Sequence, residues 1–150
     1  MPPIFFYIPP ALWPAEDLPT YADQNWAGYG LGIYAWTVQT YLKLRSAGLT
    51  CELTYQLPAE GIVFCHSNAL RAAALSTTAA AAPRRLLVCM KAESPLSAIA
   101  PVHIVQNPIE ASPSANCYYI PHWPQPQLIA RDRARAIALN PLLFLAMKII

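Results

Sequence analysis

At 150 residues, 55% hydrophobic and only 12% charged, the chain has room for one domain burying roughly two thirds of its unfolded surface, and none for a second full one. The charged share is about half the usual, so the exposed surface must be unusually apolar or covered by something else, which favours half a protein or a partner-bound piece. Ten Lys and Arg against eight Asp and Glu leave a net charge of +2 with no basic stripe interleaved with aromatics, which sets nucleic acid aside as a partner.

The chain begins "MPPIFFYIPPALWP", with no Lys or Arg ahead of its apolar stretch and with prolines through it, so it does not read as a signal peptide. The run "IFFYI" at 4–8 predicts a first strand. After a long loop come Gly28, Gly30 and Gly32, and at once an amphipathic helix with Leu31, Tyr34, Ala35, Val38, Tyr41 and Leu42 on its apolar side. Thr37, Gln39, Thr40 and Lys43 take the other side, and Gly48 is placed to end it. "CELTYQL" at 51–57 and "GIVFC" at 61–65 predict the second and third strands. Ser67 is the expected N-cap of a second helix running through the alanines and stopping before Pro83.

"RLLVCM" at 85–90, "VHIVQ" at 102–106 and "CYYI" at 117–120 predict three more strands, the last two as edge strands joined by loops. Most of these runs are continuous rather than alternating, the mark of strands covered on both faces. Strand and helix alternate, so the expected architecture is α/β: a three-layer Rossmann-like domain with a mostly parallel sheet. The domain should occupy residues 1–133. Residues 134–150 form an apolar tail broken by Pro141, shorter than the roughly 20 residues that span a bilayer, and are expected to be a core or interfacial helix or an abnormal or truncated end to the chain.

Cys51, Cys65, Cys89 and Cys117 lie far apart with no C-x-x-C pair and read as buried thiols of a reducing compartment, with the cytoplasm as the expected location. No metal site is expected, since no two histidines stand at i, i+4 with a helper acid, and no cofactor is called for. There is neither a G-x-S-x-G elbow nor a cysteine in a nucleophile motif.

The glycines invite a dinucleotide reading, which fails. A fingerprint needs its first glycine directly after the first strand, whereas Gly28 follows about twenty residues later. The third position of the spacing is Ile33, and Gln56 stands where a ribose-binding acid would be. What survives is a helix mouth rich in free amides, able to receive an anion or to let another domain approach. Ligands of open parallel sheets lie beyond the carboxyl ends of the strands, which selects Tyr7, Gln56, His66, Lys91 with Glu93, Asn107 and His122. His66, between a strand and a helix cap, could face the crevice or bond a neighbouring carbonyl. Lys91 and Glu93 could pair with each other or orient a ligand, while His103 reads as structural and Trp123 as a packing anchor.

The first strand, glycine loop, amphipathic helix and "SAGLTCEL", followed by "GIVFCHSN" and by "YYIPHWPQPQLIARD", resemble the N-terminal domain of GT-B glycosyltransferases, including glycosyltransferase-like proteins of bacteria and cyanobacteria. The resemblance covers residues 1 to about 133 and rests on pattern, with no single diagnostic motif. It implies an acceptor-side half of a glycosyltransferase, with Gly28, Gly30 and Gly32 at an interdomain cleft and His66 as the catalytic residue on the acceptor side. Lys91, Glu93 and His122 would then be ligand-binding. A nucleotide-sugar donor and a sugar or lipid acceptor would be engaged only with a complementary domain, so the isolated chain is expected to be inactive. Peripheral membrane contact and self-association through uncovered apolar surface are compatible with the composition. Two rival readings stand beside it: a non-catalytic interaction module presenting Trp13, Trp26 and Trp123, and a stand-alone Rossmann domain binding a nucleotide or small molecule.

Overall fold

The computed structural model describes residues 1–73, 82–92, 95–124 and 126. Six strands, Ile4–Tyr7 (β1), Glu52–Thr54 (β2), Glu60–His66 (β3), Arg84–Met90 (β4), Val102–Val105 (β5) and Cys117–Tyr119 (β6), form one sheet in the order β2-β1-β3-β4-β5-β6. Every strand pairing is parallel. The α-helices among the described residues are Gly32–Ser46 (α1) and Ser67–Ala72 (α2).

The continuous apolar runs explain the layering. Successive side chains of a strand point to opposite faces, so a strand buried on both must be apolar at every position. Val63 and Cys65 of β3 join Tyr7, Leu87 and Cys89 in one cluster with Ala69 and Leu70 of α2. Phe64 and Ile62 pack with Val88, Met90 and Ile104 against Trp36 of α1, and Phe6 stacks on Phe64 with ring centroids 5.2 Å apart. The result is a three-layer α/β domain of Rossmann-like architecture.

Helix α1 ends as its glycine predicts. Gly48 sits at φ +87, the Leu49 amide donates to the Leu44 carbonyl, and the Gly48 amide donates to that of Arg45. This double closure satisfies carbonyls the helix would otherwise orphan. Gly48→Ala should cost about 1 kcal/mol, since nothing crowds a Cβ there and only the left-handed backbone is penalised. Urea unfolding measures it, and an unchanged midpoint would contradict the assignment.

Four expectations are corrected. The face of α1 assigned to solvent is covered: Thr37 and Gln39 are fully buried, whereas Leu31 is 58% exposed. For Gln39 the cause is the segment after β6, which straps the helix. His122 meets the Trp36 ring edge-on, the Trp123 indole donates to Thr40 Oγ1 at 3.0 Å, and Gln39 Nε2 donates to the Pro124 carbonyl at 2.9 Å. Second, β5 is an internal strand between β4 and β6, so among the described residues the sheet edges are β2 and β6. The expected looped connection does hold between β5 and β6, which are joined through the 3-10 turns Pro108–Glu110 and Pro113–Ala115.

Third, the N-cap of α2 is His66, whose Nδ1 accepts the Asn68 amide at 3.1 Å. Ser67 becomes the first helical residue, and its Oγ accepts from the Ala92 amide. Fourth, Trp26 is no exposed docking residue, being 8% exposed and edge-on to Tyr29. Trp13 is half-buried against Tyr55, and Trp123 stays at the surface.

His103 is structural: it is buried in β5 and its Nε2 accepts the Ser97 amide at 2.9 Å. The four cysteines are free thiols, three of them buried. Residues 74–81 of the expected second helix, the end of the domain beyond Pro126, and the tail 134–150 lie outside the described residues. Among the described residues, no helix is long and apolar enough to cross a membrane.

Candidate functional site

Because β2 and β3 flank β1 on opposite sides, the connections leaving β1 and β3 diverge, and a crevice opens at the carboxyl ends of the strands. The chain fills that place with a cleft of about 730 Å³. Its walls come from four successive strand exits. Leu12 follows β1, His66 ends β3 with Asn68 and Arg71 on α2 beyond it, Lys91 and Ala92 follow β4, and Gln106, Asn107 and Glu110 follow β5. The mouth of α1, Leu31 to Tyr34, closes the remaining side. Tyr34 fixes that mouth, its hydroxyl donating to the Leu12 carbonyl at 2.9 Å.

His66 sits in this wall at 1% exposure. Since Nδ1 accepts from the Asn68 amide, a neutral ring carries its proton on Nε2. Burial, seconded by the Arg71 guanidinium, pushes the imidazole down to about 4, so it stays neutral at physiological pH. Nε2–H is therefore a buried donor, and among the described residues it has no hydrogen-bond partner. A Cβ built on Gly32 would lie 3.9 Å from that nitrogen, and both residues line the cleft.

The three alternate glycines serve three purposes. A Cβ on Gly28 would fall 2.3 Å from the Trp26 ring, so this glycine exists to seat an indole. Gly30 is exposed with open space beside it, and only Gly32 lines the cleft. Lys91 lines the cleft too, with its ammonium 2.6 Å from Glu110 Oε2. Glu93 lies outside the described residues. His122 is on the α1 strap rather than among the cleft residues, and neither Tyr7, which is buried, nor Gln56, which is exposed, lines it.

The residues that sequence reasoning passed over are Leu12, Asn68, Arg71, Gln106 and Glu110. Arg71 could have been found, since it stands five residues after His66 in a helix starting at a strand exit. Glu110 could not, because only the fold of the β5–β6 connection brings it to Lys91.

Among the described residues lining the cleft there is no Cys, Ser or Thr. Burial pushes the Cys89 thiol up to about 11 and raises that of Cys65 further, so both stay protonated near neutrality. Among the described residues, no group of three or more His, Cys, Asp or Glu could hold a metal ion. No family model, curated protein or solved structure matches the chain. What stands is a Rossmann-like fold with a polar cleft at its switch point, an arrangement consistent with binding a nucleotide or other small molecule.

Proposed function

We propose that the chain is a ligand-binding Rossmann-like domain that takes a polar small molecule in the switch-point cleft. The observation that carries this reading is the unpartnered Nε2–H of His66, held at the cleft wall beside the bare Gly32. A buried donor left unmade costs about 1–3 kcal/mol, which an accepting ligand recovers. Titration of the full chain with a panel of nucleosides, nucleotides and sugars, followed by amide NMR, should give saturable shifts at Gly32, Ile33, His66 and Asn68. A panel that moves none of them would overturn the reading.

A second reading places the same cleft in a larger machine. Leu31 on its rim is 58% exposed and Ile109, next to the lining residue Glu110, is 89% exposed. Exposed apolar groups at a polar cleft suit a covering wall from another domain, which is the arrangement the GT-B resemblance implies. Transfer of a glycosyl unit requires donor and acceptor held together with the leaving group stabilised, and the described residues offer one wall of such a site. The chain fused to a sugar-nucleotide-binding half should transfer sugar and the chain alone should not. Undiminished turnover of the fusion after His66→Ala would remove that residue from the site.

A further inference from the structure

Resting on the small-molecule reading of the cleft, we infer that its ligand is anchored by a phosphoryl group seated between the first amides of α1 and the Nε2–H of His66, with Arg71 as countercharge. The helix mouth is built without its own cap. Its N-cap is Leu31, whose side chain makes no capping bond, and the first turn holds no acidic residue. Tyr34 and Ala35 both donate to the Leu31 carbonyl, which leaves the Gly32 and Ile33 amides without a partner among the described residues. At most N-termini a Ser, Thr, Asp or Asn would accept there. Here the acceptor must come from outside, and the positive end of a 15-residue helix favours one that is negatively charged.

His66 supplies the independent pointer. The residue is 1% exposed, its Nε2 lies beside Gly32, and among the described residues no acceptor meets it. Three donors thus belong to residues that line one cleft from two elements remote in sequence. A carboxylate offers two oxygens to them, whereas a phosphate monoester offers three and carries about −1.5 to −2 charge. The cations divide in the same sense. Lys91 is already neutralised by Glu110, while Arg71 bonds the Asn68 side-chain oxygen and no carboxylate among the described residues.

The neutral ring makes the inference sharper. Among the described residues, the charged groups around His66 are Arg71 on α2, Lys91 after β4 and Glu110 in the β5–β6 connection. Since His66 stays a donor without gaining charge, affinity near neutrality should follow the ionisation of the ligand alone. Phosphate should bind more tightly as pH rises through its second ionisation near about 6, while sulfate, a permanent dianion, should bind equally well across that range.

The test is calorimetry and amide NMR on the full chain with inorganic phosphate, sulfate and a nucleoside 5′-monophosphate, compared with Gly32→Pro. Proline suits the first helical position, and Leu31 already has the extended backbone that a residue before proline needs, so the variant should fold. It deletes one anion-binding amide. We expect saturable phosphate binding with shifts at Gly32, Ile33 and His66, weakened about tenfold or more in Gly32→Pro with its melting temperature maintained. His66→Gln should weaken it by a similar factor, and serves should the proline variant misfold. Equal phosphate affinity in both variants would overturn the inference, as would sulfate affinity that climbs on acidification. Cleft shifts with an uncharged nucleoside but none with phosphate would sink the phosphoryl anchor and leave the small-molecule reading intact. Silence from both would remove both.

Discussion

Gly61→Ala should destabilise the protein by about 2–4 kcal/mol. Gly61 opens the buried part of β3 at φ +93, a conformation that alone costs an L-residue about 1–2 kcal/mol. A Cβ at this position would also lie 2.5 Å from the Pro3 carbonyl oxygen and 2.9 Å from the Pro3 ring. That carbonyl is already engaged, accepting the Ile62 amide at 2.8 Å. The backbone cannot give way without loosening the β1–β3 pairing, which is the pairing that creates the crevice. Denaturant unfolding of the variant measures the cost, and a midpoint equal to the parent's would show that the close approach of Pro3 is not real. Weaker ligand binding should accompany the loss, because the carboxyl ends of β1 and β3 carry Leu12 and His66.

Acidification should destabilise the protein between about pH 6.5 and pH 4, by up to about 3 kcal/mol from His66 alone. The folded imidazole is held down at about 4, against an ordinary value of 6.5 in the unfolded chain. In that window the unfolded state binds a proton and the folded state does not, so stability is complete above the unfolded value and falls as pH drops toward the folded one. His103 acts in the same direction, lowered by burial and then by Lys91, and its protonation would also abolish the acceptor used by the Ser97 amide. Exposed ion pairs such as Arg84 with Glu60 add little to this slope. Unfolding curves at several pH values should show the decline, and His66→Gln should flatten it while costing some stability at pH 7.5 through a weaker cap on α2. An NMR titration in which the His66 ring ionises near 6.5 would defeat the expectation directly.

The architecture was legible because it follows from local rules. Apolar runs bounded by Pro, Gly and Asn marked all six strands, and Gly48 stopped α1 where a left-handed residue was needed. The glycine segment was only partly legible. Alternation of Gly28, Gly30 and Gly32 suggested one device, and the structure separates them into a seat for an indole, an exposed turn and a cleft wall. Helix α1 misled in the opposite way, since its polar Gln39 and Thr40 promised a solvent face that residues 122–124 meet. Periodicity reports which side chains are apolar and is blind to a strap that arrives from the far end of the chain.

The amino-acid sequence by itself determined the α/β class, the strands, the principal helix and the choice of His66 as the residue to watch, since each depends on neighbours within a few positions. Only the tertiary structure decided that β3 crosses beside β1, that Arg71 and Glu110 join His66 and Lys91 around one cleft, and that Nε2 is left without an acceptor. The physical reason is distance along the chain. Strand order and the satisfaction of a buried donor are set by packing between segments remote in sequence, where no local pattern carries the information.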